Sequence, residues 1–112
     1  MKVLNAFSLN MIDDRVLNAG PFSCSVRAVS LDEAKVYLGG GEVESCVGHA
    51  DTAEVFSSQL GVPVPFNRTN VSLKYGDVAL VGQYRGPRLP EGCKTLPEGA
   101  TIVWLMVRVQ AA

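Results

Sequence analysis

The chain has 112 residues, of which 47% are apolar and 19% charged, and a formal net charge of −1. That is the size and balance of one globular domain, residues 1–112, with a core of its own; it excludes a disordered tail, a coiled coil and a two-domain chain. The absence of any Lys/Arg run argues against a protein that tracks along long nucleic acid by neutralising many phosphates, but not against one that holds a compact anion in a pocket.

No apolar run approaches the roughly 20 residues needed to cross a bilayer. The opening stretch "MKVLNAFSLN" lacks the apolar core and small-residue cleavage site of a secretory leader. A cytoplasmic chain with no membrane partner is expected. Cys24, Cys46 and Cys93 are odd in number, widely spaced and never arranged as CxxC, which reads as reduced thiols rather than a disulfide framework or a zinc site. The "NRT" and "NVS" stretches at Asn67 and Asn70 match a glycosylation pattern that matters only in a secreted chain.

In chain order, "KVLNAF" (Lys2 to Phe7) reads as a first strand, followed by a polar loop, "SLNMIDDR". Phe22 to Ser30 is a second strand. "SLDE" has the spacing of a capping box, so Ser30 caps a short helix that runs through Leu38 and ends at the glycines 39–41. "GEVESCVG" is a third short strand. Asp51, with Glu54 three positions on, is expected to cap a second helix with Ala53, Phe56 and Leu60 on one face, stopped by Gly61. Asn70 to Leu73, a turn at "KYGD" and Val78 to Arg85 suggest a hairpin. Thr101 to Val109, nearly all apolar, suggests a central strand. Between these last two strands "LPEG" occurs twice, each copy suiting a type I turn with Pro second and Gly fourth. The expected fold is α/β: a single domain with a mixed sheet of about five strands and two short helices.

His49 is the only histidine. A lone histidine is ordinarily structural, but this one sits between a strand end and a helix start, where unpaired N–H groups and the helix dipole favour a phosphate. An anion bound there favours the charged imidazole that a general acid needs. No second histidine exists and Asp13 and Asp14 are adjacent, so no metal ligand set is suggested, and no cofactor. Arg88 and Glu91, in "RLPEG", are either an idle surface ion pair or an Arg that holds a phosphate beside a carboxylate that takes a proton. Spacing does not choose between these.

"NAFSLNM" (Asn5 to Met11), "VGHADTAEVFSSQLG" (Val47 to Gly61) and "NRTNVSLKYGDVALVGQYRGPRLPEG" (Asn67 to Gly92) resemble, in that order, the viral ring nuclease family. These are type III anti-CRISPR proteins that bind and degrade cyclic tetra-adenylate. The resemblance spans nearly the whole chain, weakest over Asp13 to Glu44 and after Gly92. It implies a homodimer in the host cytoplasm, with the ligand enclosed at the two-fold interface and no metal or cofactor required. It implies that His49, Arg88 and Glu91 are catalytic and that Asn5, Ser8, Asn10 and Arg68 contact the ligand, with a further contact expected at Gln83. Asp13, Asp14, Arg85 and Lys94 read as solvated surface residues. Two alternatives come from other classes: a protein that sequesters a cyclic nucleotide without cutting it, and a small interaction protein.

Overall fold

In the computed structural model, which describes residues 1–112, five strands form one mixed sheet. They are β1 (Lys2–Leu4), β2 (Phe22–Val29), β3 (Glu44–Ser45), β4 (Val78–Arg85) and β5 (Thr101–Ala111), in the spatial order β2-β5-β4-β1-β3. β1 is parallel to both β3 and β4, and β5 is antiparallel to β4 and to β2. The carboxyl ends of β3, β1 and β4 therefore meet at one edge of the sheet. The segments leaving that edge carry Asn5, His49 and Arg88.

Strand periodicity sends alternate residues to opposite faces and divides the core in two. On one face Val3, Leu80, Trp104 and Met106 pack with Ala34 and Leu38 of α2 (Leu31–Leu38) and with Ala53, Phe56 and Leu60 of α3 (Ala50–Leu60). On the other, Leu4, Ala79, Val81, Val107 and Val109 pack with Ile12, Leu73 and Val16 of α1 (Asp14–Leu17). The capping box of α2 is present in both directions: the Glu33 N–H donates to Ser30 Oγ (3.1 Å) and the Ser30 N–H to Glu33 Oε1 (3.2 Å). Gly61, in the left-handed region at φ 70°, closes α3.

Several local expectations are corrected. Asn70 to Leu73 forms no hairpin with β4, because both edges of β4 are taken by β1 and β5; Leu73 bonds instead to Met11 and Asp13 (2.7 and 2.9 Å). Asp51 does not cap α3, since His49 occupies the N-cap and Asp51 lies within the first turn. The "SLNMIDDR" loop folds into a 3-10 turn (Leu9–Met11) and the start of α1, which Asp13 caps through the Arg15 N–H at 2.9 Å. Both "LPEG" turns begin one residue later than expected. The closing bonds run from the Cys93 and Ala100 N–H groups to the Pro90 and Pro97 carbonyls, with Gly92 and Gly99 third in each turn at φ 78° and 81°, the type II arrangement that needs glycine there. The opening and third strands are also shorter than expected, and β5 is interior but one place from the centre, which β4 holds.

α3 reaches the sheet through a gap in β4. Gly82 lies opposite Trp104, and a Cβ at 82 would fall on the Phe56 ring and within 2.7 Å of Trp104. The two rings meet edge to face at 4.9 Å over the missing side chain. Gly82→Ala is therefore expected to destabilise the fold by about 1–3 kcal/mol through overpacking, read as a lower urea midpoint. Gly40→Ala, with nothing within 4 Å of its added Cβ, is expected to shift it little.

Candidate functional site

The first backbone bond of α3 runs from the Ala53 N–H to the His49 carbonyl (3.0 Å). The N–H groups of Ala50, Asp51 and Thr52 thus have no partner inside the helix and point, with the positive end of its dipole, out of its N-terminus. A cleft of about 880 Å³ opens there. One wall is the stretch from His49 to Thr52, the other is Arg88 to Glu91, and Tyr84 and Gly86 line it from the end of β4. His49 is exposed and its side chain makes no capping bond, so the imidazole is free to meet a ligand. Arg88 and Glu91 are both exposed and make no ion pair with each other; the pairs that do form are Lys2–Glu44, Arg15–Asp13 and Arg27–Glu33. The ion pair that the spacing of Arg88 and Glu91 allows does not form. No group of three or more His, Cys, Asp or Glu side chains is placed to hold a metal ion.

Side-chain-to-backbone bonds hold these segments together. Asn5, just past β1, accepts from the Gly48 N–H through Oδ1 (3.2 Å) and so fixes the residue before His49. Asn67 donates through Nδ2 to the Ser45 carbonyl (2.7 Å) and its own N–H bonds the Val47 carbonyl (2.9 Å). This draws Arg68 over Gly48, where a Cβ would lie 3.5 Å from Arg68 Cγ. Tyr84 Oη donates to the Pro87 carbonyl (2.6 Å) and roots the loop that carries Arg88.

The expected site residues separate into groups. His49, Arg88 and Glu91 share the cleft, and Asn5 and Arg68 flank the His49 segment. Gln83 does not reach the cleft: alternation along β4 puts Tyr84 on the α3 face and Gln83 on the other, where its Oε1 accepts from Arg85 (3.4 Å). Ser8 and Asn10, exposed on the 3-10 turn, also lie outside it. Sequence reasoning missed Tyr84, Thr52 and Asp51 as cleft residues. The phase of Tyr84 with Leu80 and Gly82 was the available signal for the first, and the turn shared with His49 for the others.

Fold and site together define a single-domain α/β protein whose cleft lies at a helix N-terminus beside the carboxyl edge of a mixed sheet. The chain belongs to the STIV B116-like family, a family of viral proteins, whose model matches residues 1–99. It is similar to the ORF117 protein of Acidianus two-tailed virus, 38% identical over 69 residues that make up 60% of this chain; the chain spans 58% of that relative's length. Among solved structures it resembles B116 of Sulfolobus turreted icosahedral virus, with a TM-score of 0.75 at 24% identity over 96% of this chain and 97% of that one. That likeness covers the fold. No helix is long and apolar enough to cross a membrane.

The loop bearing Ser8 and Asn10 is latched at its far end by Asp13, which accepts from the Arg15 N–H and from Ser72 Oγ (2.7 Å). These two bonds, the backbone one first, hold its carboxyl below the ordinary 3.8. A depressed carboxyl pKa contributes stability above its unfolded value that is lost as pH falls through the folded one. Thermal melts are therefore expected to lose stability below about pH 4, and Asp13→Asn, which keeps one acceptor oxygen for the Arg15 N–H, offers its amide N–H to the Ser72 hydroxyl as acceptor and cannot titrate, should flatten that dependence. Parallel wild-type and mutant curves would mean the latch carries no such linkage.

Proposed function

We propose that the chain is a ring nuclease for cyclic tetra-adenylate, acting on its phosphodiesters by transesterification. One observation carries this reading: His49 and, far from it in sequence, Arg88 and Glu91, each assigned a catalytic part by the resemblance, line a single cleft at a helix N-terminus. The chemistry those groups offer is complete. Glu91 takes the proton of a ribose 2′-OH as its oxygen bonds to the adjacent phosphorus, the bond to the 5′ oxygen breaks, and His49 protonates that departing oxygen. A 2′,3′-cyclic phosphate and a 5′-OH result. Arg88 and the unpaired N–H groups of Ala50 to Thr52 meet the charge that grows on the phosphate oxygens. None of these steps calls on a metal ion or cofactor.

A ring of four nucleotides contains a two-fold axis, and a homodimer that shares it would present two histidines to opposite phosphodiesters, leaving di-adenylates. Asn5, Ser8, Asn10, Arg68 and Gln83 would hold the rest of the ring. Membership of a viral family fits a role in the host cytoplasm as an anti-CRISPR protein that silences type III signalling.

Incubation with cyclic tetra-adenylate in molar excess, with EDTA present, followed by chromatography, tests the reading. Multiple turnovers are expected; stoichiometric uptake without products would make the protein a sponge, and no uptake would end the proposal. His49→Ala should lower single-turnover cleavage by at least about 10²–10⁴-fold while the ligand still binds.

Arg88 and Glu91 should separate in the same assay. Arg88→Ala is expected to weaken both binding and cleavage, and Glu91→Gln to slow cleavage with affinity equal or improved, because a carboxylate repels an anionic ligand. Two mutants within a few-fold of wild type in both quantities would remove "RLPEG" from the site.

A further inference from the structure

We infer that Asp51 is a positioning residue: its carboxylate holds the segment carrying Arg88 and Glu91 against the first turn of α3, at some loss of affinity for an anionic ligand. The inference rests on the cleft being the proposed phosphodiesterase site.

The segment from Gly86 to Ala100 is built from turns, and most of its hydrogen bonds are its own. Cys93 N–H bonds the Pro90 carbonyl, Cys93 Sγ the Thr95 carbonyl, and Ala100 N–H the Pro97 carbonyl. At its root Tyr84 Oη holds Pro87. Beyond that root a single hydrogen bond ties it to the rest of the fold: the Gly92 N–H donates to Asp51 Oδ1 at 3.3 Å, across 41 residues of sequence. Arg88 and Glu91 lie between the two anchors, so the pair of bonds sets how far each can stand from His49. The Asp51 bond is also a partition. A second cleft of about 600 Å³, bordered by Phe66 and Lys94, shares Ala50 and Asp51 with the first, with Glu91 on one side of the bond and Gly92 on the other.

The choice of residue is informative because a carboxylate is the wrong neighbour for a phosphate. Asp51 lines the cleft itself and competes for the helix dipole that would otherwise favour the ligand. What the carboxylate supplies is a charge-assisted acceptor for the Gly92 N–H. Positioning and affinity are thereby set against each other at one side chain, and two substitutions pull them apart. Asp51→Asn keeps an acceptor oxygen and removes the charge; Asp51→Ala removes both.

The experiment measures single-turnover cleavage of cyclic tetra-adenylate, binding of the same ring in a His49→Ala background, and amide hydrogen exchange over residues 88–93. Asp51→Ala is expected to slow cleavage by about 10–100-fold, as a displaced catalytic group does, and to speed exchange in that segment. Asp51→Asn should restore most of the rate and the protection, and both variants should bind the ring as tightly as the His49→Ala parent or more tightly. Equal slowing by Ala and Asn would overturn the inference, since the charge and not the tether would then matter; so would an Ala variant with unchanged rate and exchange. If the wild-type protein cleaves nothing, the nuclease reading fails by itself, and exchange decides the tether: faster in Ala alone upholds it, equal in both overturns it.

Discussion

The close seating of α3 on β4 is the constraint from which the rest of the molecule follows. Phe56 and Trp104 meet edge to face in the space that Gly82 leaves open, and this brings the helix axis nearer the sheet than a side chain at that position would allow. Ala53, Phe56 and Leu60 then fill one face of the sheet with α2. Once the helix is fixed along its length, its N-terminus is fixed too, beside the edge where β3, β1 and β4 end. The free N–H groups of that terminus take their orientation from core packing and not from the loops around them. The buried ring pair and the exposed cleft are two ends of one rigid element.

Around that element the site is assembled by single side chains that reach for backbone. Asn5 holds Gly48, Asn67 holds Ser45, Tyr84 holds Pro87 and Asp51 holds Gly92. Bonds of this kind are individually modest, of order 1 kcal/mol; the exposed segment bearing Arg88 and Glu91 depends on the last two of them, whereas Ser45 and Val47, just before His49, and the inner face of α3 are buried in the core. A cleft with one wall from each class has a fixed half, bearing His49, and an adjustable half, bearing Arg88 and Glu91.

What was legible in the sequence follows from the range of the forces involved. The capping box at Ser30 and Glu33 and the stop at Gly61 were readable because each is satisfied within one helical turn. The failed hairpin at Asn70 to Leu73 is the reverse case: a suitable turn does form, with Gly76 at φ 84°, but whether the flanking segment pairs depends on which edges of β4 are free, and that is decided by β1, most of the chain away. The "LPEG" turns show the same limit at a finer scale, since both Pro-second and Gly-third placements satisfy turn chemistry, and the positive φ that Gly92 and Gly99 adopt selects the second. Asn67, read as a chance sequon, proved to be a strut; a polar side chain in a loop announces no partner until the fold supplies one.

The site itself was half legible, and alternation along β4 shows where the boundary lay. His49 stood out by position at a helix start, whereas Arg88 and Glu91 were visible only as a pair whose spacing across a turn fits an ion pair equally well, and the resemblance made the choice. Gln83 and Tyr84 are neighbours in sequence, yet the pleat sends them to opposite faces, Tyr84 to the cleft and Gln83 away from it. Asn5 lies just past the end of β1, bonded to Gly48. If one ligand is to meet Gln83 as well as His49, it cannot lie on either face of the sheet alone. It must straddle the edge where the three parallel strands end, which is where ligands of open α/β sheets settle, because only there do the loops from several strands converge without a packed layer between them.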